Sequence, residues 1–282
     1  MSAAPAIEVA GLTRRYGDFT AVSDFDLAVA PGECVAMLGP NGAGKTTTVE
    51  ILEGYRHRDA GEATVLGVDP ARPTSAWRQR IGIVLQSAGD LADATVREAL
   101  THFARYYDHP RTVDDVIALV GLEEKPDERV MHLSGGQRRR LDVGLGVIGR
   151  PELLFLDEPT TGFDPEARRV FWTLVERLKA EGVTILLTTH YLEEADALAD
   201  RVVVINRGRK LADTTPAELG HRGEDRVTVR WREGETTREE STQTPTALVA
   251  SLAQRFGGEV PGLEVARPTL EQAYLELVEG AK

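Results

Sequence analysis

Gly39-Pro40-Asn41-Gly42-Ala43-Gly44-Lys45-Thr46, continuing into Thr47, joins a short apolar run to a helix-like run. The upstream run, Glu33-Cys34-Val35-Ala36-Met37-Leu38, is suited to a buried strand, and Val49 and Leu52 downstream share one helical face before Gly54 stops it. Gly39 and Gly44 permit backbone angles that a side chain forbids, so successive N–H groups can turn inward toward an anion. The helix N-terminus adds partial positive charge at the same point. Lys45 is spaced to reach the outer phosphates of a nucleotide, and the Thr46 hydroxyl to take a place on Mg²⁺. The stretch reads as a phosphate cradle between a strand and a helix.

Outward from the cradle, the chain has 282 residues, 41% of them apolar, enough for one large α/β domain or a core with a smaller appendage. A net charge of −12 speaks against broad phosphate neutralisation of a nucleic acid. The lone Cys34 has no intrachain partner and reads as a packing residue. No apolar run approaches the ~18 residues that span a bilayer, and the first residues carry no export signal. The expectation is a cytosolic protein that does any membrane work through a partner chain.

In chain order, residues 7–38 read as short β runs (Ile7/Val9, then Phe25/Leu27/Val29), with Tyr16 between them as an aromatic that can stack on a base. A run over residues 81–85 ends at Gln86, whose amide can serve a metal or a water. Residues 91–147 turn helical, with a capping box at Thr95 and Glu98 and apolar positions Val96, Leu100, Phe103 and Tyr107. This block reads as a helical subdomain inserted into the core. At its end Leu133-Ser134-Gly135-Gly136-Gln137 opens a helix as a second anion-binding turn, and the arginines 138–140 behind it read either as part of that site or as a solvated basic face. One nucleotide held between two copies of the chain accounts for two such turns.

Leu153-Leu154-Phe155-Leu156 is a strand buried on both faces with Asp157 and Glu158 at its carboxyl end, where open α/β sheets bind ligands. Asp157 is placed to hold Mg²⁺ through water and Glu158 to orient and deprotonate an attacking water. Asp164 and Pro165 cap a helix with Val170, Leu174 and Leu178 on one face, and the next buried strand ends at His190.

These pieces together resemble the ATP-binding cassette family, the nucleotide-binding subunits of ABC transporters. The resemblance covers about residues 6–215 and implies a P-loop NTPase of ABC type: α/β, with an N-terminal antiparallel β subdomain and the inserted helical subdomain. It implies that Tyr16 stacks on the base, that residues 39–46 are the Walker A loop, and that Gln86 touches Mg²⁺ and relays to the membrane subunit. Ser134, Gly135, Gly136 and Gln137 lie in an unaltered LSGGQ signature that closes over the opposite subunit's ATP. Residues 153–158 match Walker B with Glu158 as catalytic base, His190 matches the switch histidine, and Asp164 the D-loop aspartate, preceded here by Phe163 where the family usually has leucine. ATP and Mg²⁺, a second cassette in a homodimer, and polytopic membrane permease subunits that hold this chain peripherally on the inner face of the cell membrane are the implied ligands and partners, with no nucleic acid. Residues 219–282 read as a small α+β extension: alternating Val227, Val229 and Trp231, a helix over 246–256, a strand within 260–265, and a last helix from a capping box at Thr269 and Gln272. Its ending resembles that of daunorubicin-exporter ATPases. The rival class, a soluble ABC switch in translation or DNA maintenance, usually carries two cassettes, long coiled coils or zinc insertions. This chain has one cassette, no cysteine pair and no extended heptads.

Overall fold

The computed structural model describes residues 4–84, 91–221, 227–266 and 270–280. The chain divides into two compact units, residues 1–213 and 214–282.

The first unit begins with β1 (Ile7–Tyr16) and β2 (Phe19–Val29), an antiparallel hairpin that pairs Tyr16 with Phe19 and Ile7 with Val29. After β3 (Cys34–Leu38) and α1 (Lys45–Leu52), β4 (Ala60–Val65) returns to pair antiparallel with β1. These make a three-stranded sheet in the order β2-β1-β4. Tyr16 is the last residue of a ten-residue strand, so the arginines before it belong to the sheet rather than to a connection between strands. Next come α2 (Ser75–Arg78), whose Trp77 is buried, and β5 (Ile81–Val84). The helical block holds α3 (Val96–Ala104), α4 (Val113–Leu119) and α5 (Gly135–Val147). The Thr95–Glu98 capping box forms, with Glu98 N–H donating to Thr95 Oγ1 at 3.1 Å and Thr95 N–H to Glu98 Oε2 at 2.8 Å. The core closes with β6 (Leu153–Asp157), α6 (Pro165–Ala180), β7 (Thr184–Thr189), α7 (Leu192–Leu198), β8 (Arg201–Asn206) and β9 (Arg209–Thr214).

The main sheet runs β5-β6-β7-β3-β8-β9, and β5, β6, β7, β3 and β8 pair in parallel. Every residue of β3, β6 and β7 is buried, as near-continuous apolar runs in a sheet covered on both faces must be. The register pairs Asp157 with Thr188 and Leu38 with Thr189. Parallel pairing therefore delivers the cradle, the two carboxylates and the histidine to one edge of the sheet.

On α6 Leu174 and Leu178 are buried as expected, with Phe171 and Val175 beside them, whereas Val170 is 44% exposed. The Phe171 ring packs edge-on against Phe163, centroids 6.0 Å apart, so the phenylalanine before Asp164 has its own partner.

The second unit pairs β10 (Val227–Glu233) with β11 (Thr236–Thr242) and β12 (Glu264–Ala266), order β11-β10-β12. Val229 and Trp231 pack with Leu252 of α9 (Pro245–Phe256), while α8 (Pro216–His221) and α10 (Leu270–Gly280) pack on each other. The apolar alternation gives no sign of β11. Six of its seven residues are exposed, so it is an edge strand held by backbone pairing.

Helix α5 lies against β5 with almost no clearance. A Cβ on Gly82 would stand 2.2 Å from Gly146 O and 2.8 Å from Leu154 Cδ1. Gly82→Ala is therefore expected to lower the urea midpoint by the equivalent of about 1–3 kcal/mol. A midpoint equal to wild type would mean that the helix does not seat on the strand this closely.

Candidate functional site

The cradle forms as a turn between β3 and α1, with Ala43 N–H donating to Pro40 O at 3.1 Å. Gly44 is the N-cap of α1 at φ +105°, and no side chain caps the helix, so its first N–H groups are left for a ligand. Lys45 is 5% exposed. Its ammonium donates to Gly39 O at 2.7 Å and Pro40 O at 3.3 Å and stands 3.5 Å from Glu158 Oε1. On the other side of Glu158, Oε2 lies 3.4 Å from His190 Nδ1. Lysine, glutamate and histidine, far apart in the chain, thus form one line across the ends of β3, β6 and β7.

The Glu158 main-chain N–H donates to both Thr188 O and Thr188 Oγ1, each at 3.1 Å. Thr188 Oγ1 in turn donates to Asp157 Oδ1. Thr188 thus ties the Asp157 carboxylate to the Glu158 main chain, and no local sequence pattern singles it out. His190 packs on the Tyr191 ring, centroids 4.1 Å apart, and Arg168 of α6 covers the same ring at 4.6 Å.

A cleft of about 430 Å³ is lined by Tyr16, Phe19, Ala21, residues 41–47 and Glu158. Arg14 sits 4.8 Å over the Tyr16 ring, a cation–π contact. Phe19, 62% exposed, is a second aromatic at this mouth that the sequence reading did not single out. Its signal in the sequence is the Gly17-Asp18 turn, across which it pairs with Tyr16 in the structure. Gly39 and Pro40 shape the loop through their carbonyls.

The signature residues do not line this cleft. Ser134 caps α5, its Oγ accepting from Gln137 N–H at 3.3 Å, while Gln137 Oε1 accepts from Ser134 N–H at 3.0 Å. A Cβ on Gly135 would meet nothing within 4 Å, so the turn faces open space. Asp164 caps α6, Oδ1 accepting from Ala167 N–H at 2.8 Å. The arginines behind the signature are not a solvated face: Arg139 is 6% exposed, and Arg140 donates to Val120 O at 3.0 Å and Gly121 O at 2.7 Å. Gln86 lies outside the described residues.

A family model described as ABC transporter matches residues 22–161. The Nod factor export ATP-binding protein I of Burkholderia orbicola (strain AU 1054) is 44% identical over 225 residues, 78% of this chain and 73% of that protein. The chain belongs to the ABC transporter family, as an ATP-binding subunit. The protein of the same name in Burkholderia pseudomallei (strain K96243) is 45% identical over 78% of this chain and 73% of its own length. A solved structure described as the ATP binding subunit of an ABC transporter superposes with a TM-score of 0.69 at 27% identity, covering 77% of this chain and 92% of the other. Another, cbiO1 from Clostridium perfringens, gives 0.68 at 25% identity over 79% and 93%. The fold is therefore the P-loop NTPase fold of ABC type, and the cleft belongs to a transport-coupled ATPase. Among the described residues no helix is long and apolar enough to cross a membrane.

Two further carboxyls of this ABC subunit are buried. Glu194 of α7 is fully buried; burial raises its pKa, opposed by Thr189, Thr160 and Trp172 around it, none of which reaches good hydrogen-bond geometry with it. Glu53, at the end of α1 and 8% exposed, is pushed up to about 8 by burial, with Asp157 and Glu50 repelling its charge. A carboxyl whose folded pKa lies above its unfolded value of 4.5 is neutral in the fold at low pH and carries no cost there. Stability then falls as pH rises from about 4.5 to about 8, by up to about 1.4 kcal/mol per pH unit from this one group. Glu53→Gln should flatten that segment of the stability-versus-pH curve, measured by denaturant melts without nucleotide or divalent ions. An unchanged slope would place the ionisation elsewhere.

Proposed function

We propose that this chain is the ATP-binding and hydrolysing subunit of an exporter whose membrane-spanning subunits are separate chains, and that two such subunits close head to tail over two ATP molecules. The observation that carries it is the line of Lys45, Glu158 and His190 at the edge of the cradle. The naming of its relatives as export ATP-binding proteins supports the direction of transport. The subunit sits peripherally on the cytoplasmic face, through the permease.

The cleft suits ATP from end to end: an aromatic mouth at Tyr16 for the base, and N–H groups of residues 41–47 for the phosphates. In this cleft Lys45 exchanges Glu158 and the loop carbonyls for the outer phosphates, which releases the Glu158 carboxylate. Glu158 then accepts a proton from the attacking water, and His190 holds the γ-phosphate. Thr46 and Asp157, with Gln86, fit Mg²⁺ in hydroxyl, carboxylate and amide oxygen, a hard-cation donor set. When bound, Mg²⁺ offsets charge on the phosphates. The signature turn, which has open space beside Gly135, supplies the remaining charge stabilisation to the partner's ATP through its N–H groups.

Glu158→Gln is expected to lower kcat by roughly 10²- to 10⁴-fold while ATP-bound dimers accumulate, read by phosphate release and gel filtration; undiminished turnover would remove Glu158 as the base. Gly135→Asp places an anion where the subunit has room for it. Its melting temperature and its binding of ATP to the monomer should match wild type while hydrolysis is lost. Equal loss of monomer binding would show that the signature serves its own chain's nucleotide.

A further inference from the structure

Glu158 holds a backbone conformation that its residue type disfavours. Its φ is +43°, in the left-handed region where a Cβ crowds the following carbonyl, so neighbouring structure must impose it. Thr188 holds the Glu158 N–H from the β7 side. The carbonyls on either side of Glu158 are held from a different element by a single side chain. Arg139 Nη2 donates to Asp157 O at 2.9 Å, and Arg139 Nε donates to Pro159 O at 3.0 Å.

Arg139 lies on α5, the helix that Ser134 caps. Its guanidinium is withdrawn from water and stands 3.9 Å from Asp142 Oδ2, also on α5. Burial of this cation is costly, so its hydrogen bonds must be made inside the protein. A guanidinium fork is planar and rigid and can grip two acceptors at a fixed separation, which an ammonium cannot do with the same geometry.

We propose that Arg139 is a positioning residue for ATP hydrolysis: its fork fixes the main chain on both sides of Glu158 and so aims that carboxylate at the attacking water. The inference rests on the reading of Glu158 as the base. It also gives the signature segment a direct mechanical connection, within one subunit, to the base that serves that subunit's own ATP. Nothing in it requires Arg139 to touch nucleotide. The expected signature is a loss in turnover without a loss in ATP affinity.

The experiment compares full-length wild type, Arg139→Met, Arg139→Lys and Glu158→Gln. Steady-state ATPase gives kcat and KM, and calorimetry with ATP in EDTA gives affinity and the fraction of competent protein. Arg139→Met keeps the length and bulk of the side chain while removing both donors. It should lower kcat at least ~10-fold per competent site with ATP affinity within about threefold of wild type, and Arg139→Lys should recover part of the loss. An Arg139→Met kcat less than about tenfold below wild type, or a loss of ATP affinity equal to the loss of kcat, overturns the proposal. Should Arg139→Met not fold, Arg139→Lys decides: a kcat below wild type at unchanged ATP affinity supports the proposal, and a kcat equal to wild type overturns it. An active Glu158→Gln would remove the base reading itself, whereas an inactive Glu158→Gln beside a fully active Arg139→Met would remove only the role of Arg139.

Discussion

Two glycines of the cradle have no room for a side chain, and the site depends on that. A Cβ on Gly39 would stand 2.3 Å from Ile205 O, and one on Gly44 would stand 2.4 Å from Ala21 O. The loop is therefore wedged between the end of β8 and the start of β2, and Gly208 N–H donates to Ala43 O at 2.8 Å to hold it there. A phosphate site made of backbone N–H groups works only if those groups are fixed before the ligand arrives, because their reorganisation would otherwise be charged against binding. Wedging the loop against both sheets supplies that rigidity from the packing of the fold.

Around the wedged loop the fold tolerates an unusual set of buried charges. Lys45, Asp157, Arg139, Glu53 and Glu194 are all withdrawn from water in the first unit. Such groups are expensive unless paired or neutralised. Lys45 and Arg139 are met by main-chain carbonyls, and Asp157 by the Thr188 hydroxyl. Burial favours the neutral acid at Glu53 and Glu194. The buried charges are thus met by polar groups or neutralised, in a setting where water screens them little.

The second unit is built on a different principle. Its core is small, centred on Val229, Trp231 and Leu252. Its outer strand β11 is held by backbone pairing and exposed ion pairs such as Arg230 with Glu239. Ion pairs this exposed add little stability. The unit gains its cohesion from the Trp231 face and from α8 packing on α10.

The sequence by itself determined which residues carry chemistry. The glycine spacing before Lys45, the carboxylates after a wholly apolar strand and the Ser-Gly-Gly turn are local patterns, and local patterns reflect local backbone geometry. It also determined the strand and helix types of the core, because a doubly covered parallel strand must be apolar throughout. What only the tertiary structure decided is which of these groups meet and what holds them. Pairing Leu38 with Thr189 and Asp157 with Thr188 brought Lys45, Glu158 and His190 into one line. On α6 Phe171, packed on Phe163, joined Leu174 and Leu178 in the core while Val170 stayed exposed. Arg139, which in sequence is one of three adjacent arginines, became a buried clamp while Arg140 took the carbonyls of the helical block. Charge type is written in each residue, but burial and the partner that makes burial tolerable come from segments distant in the chain, and no local pattern encodes them.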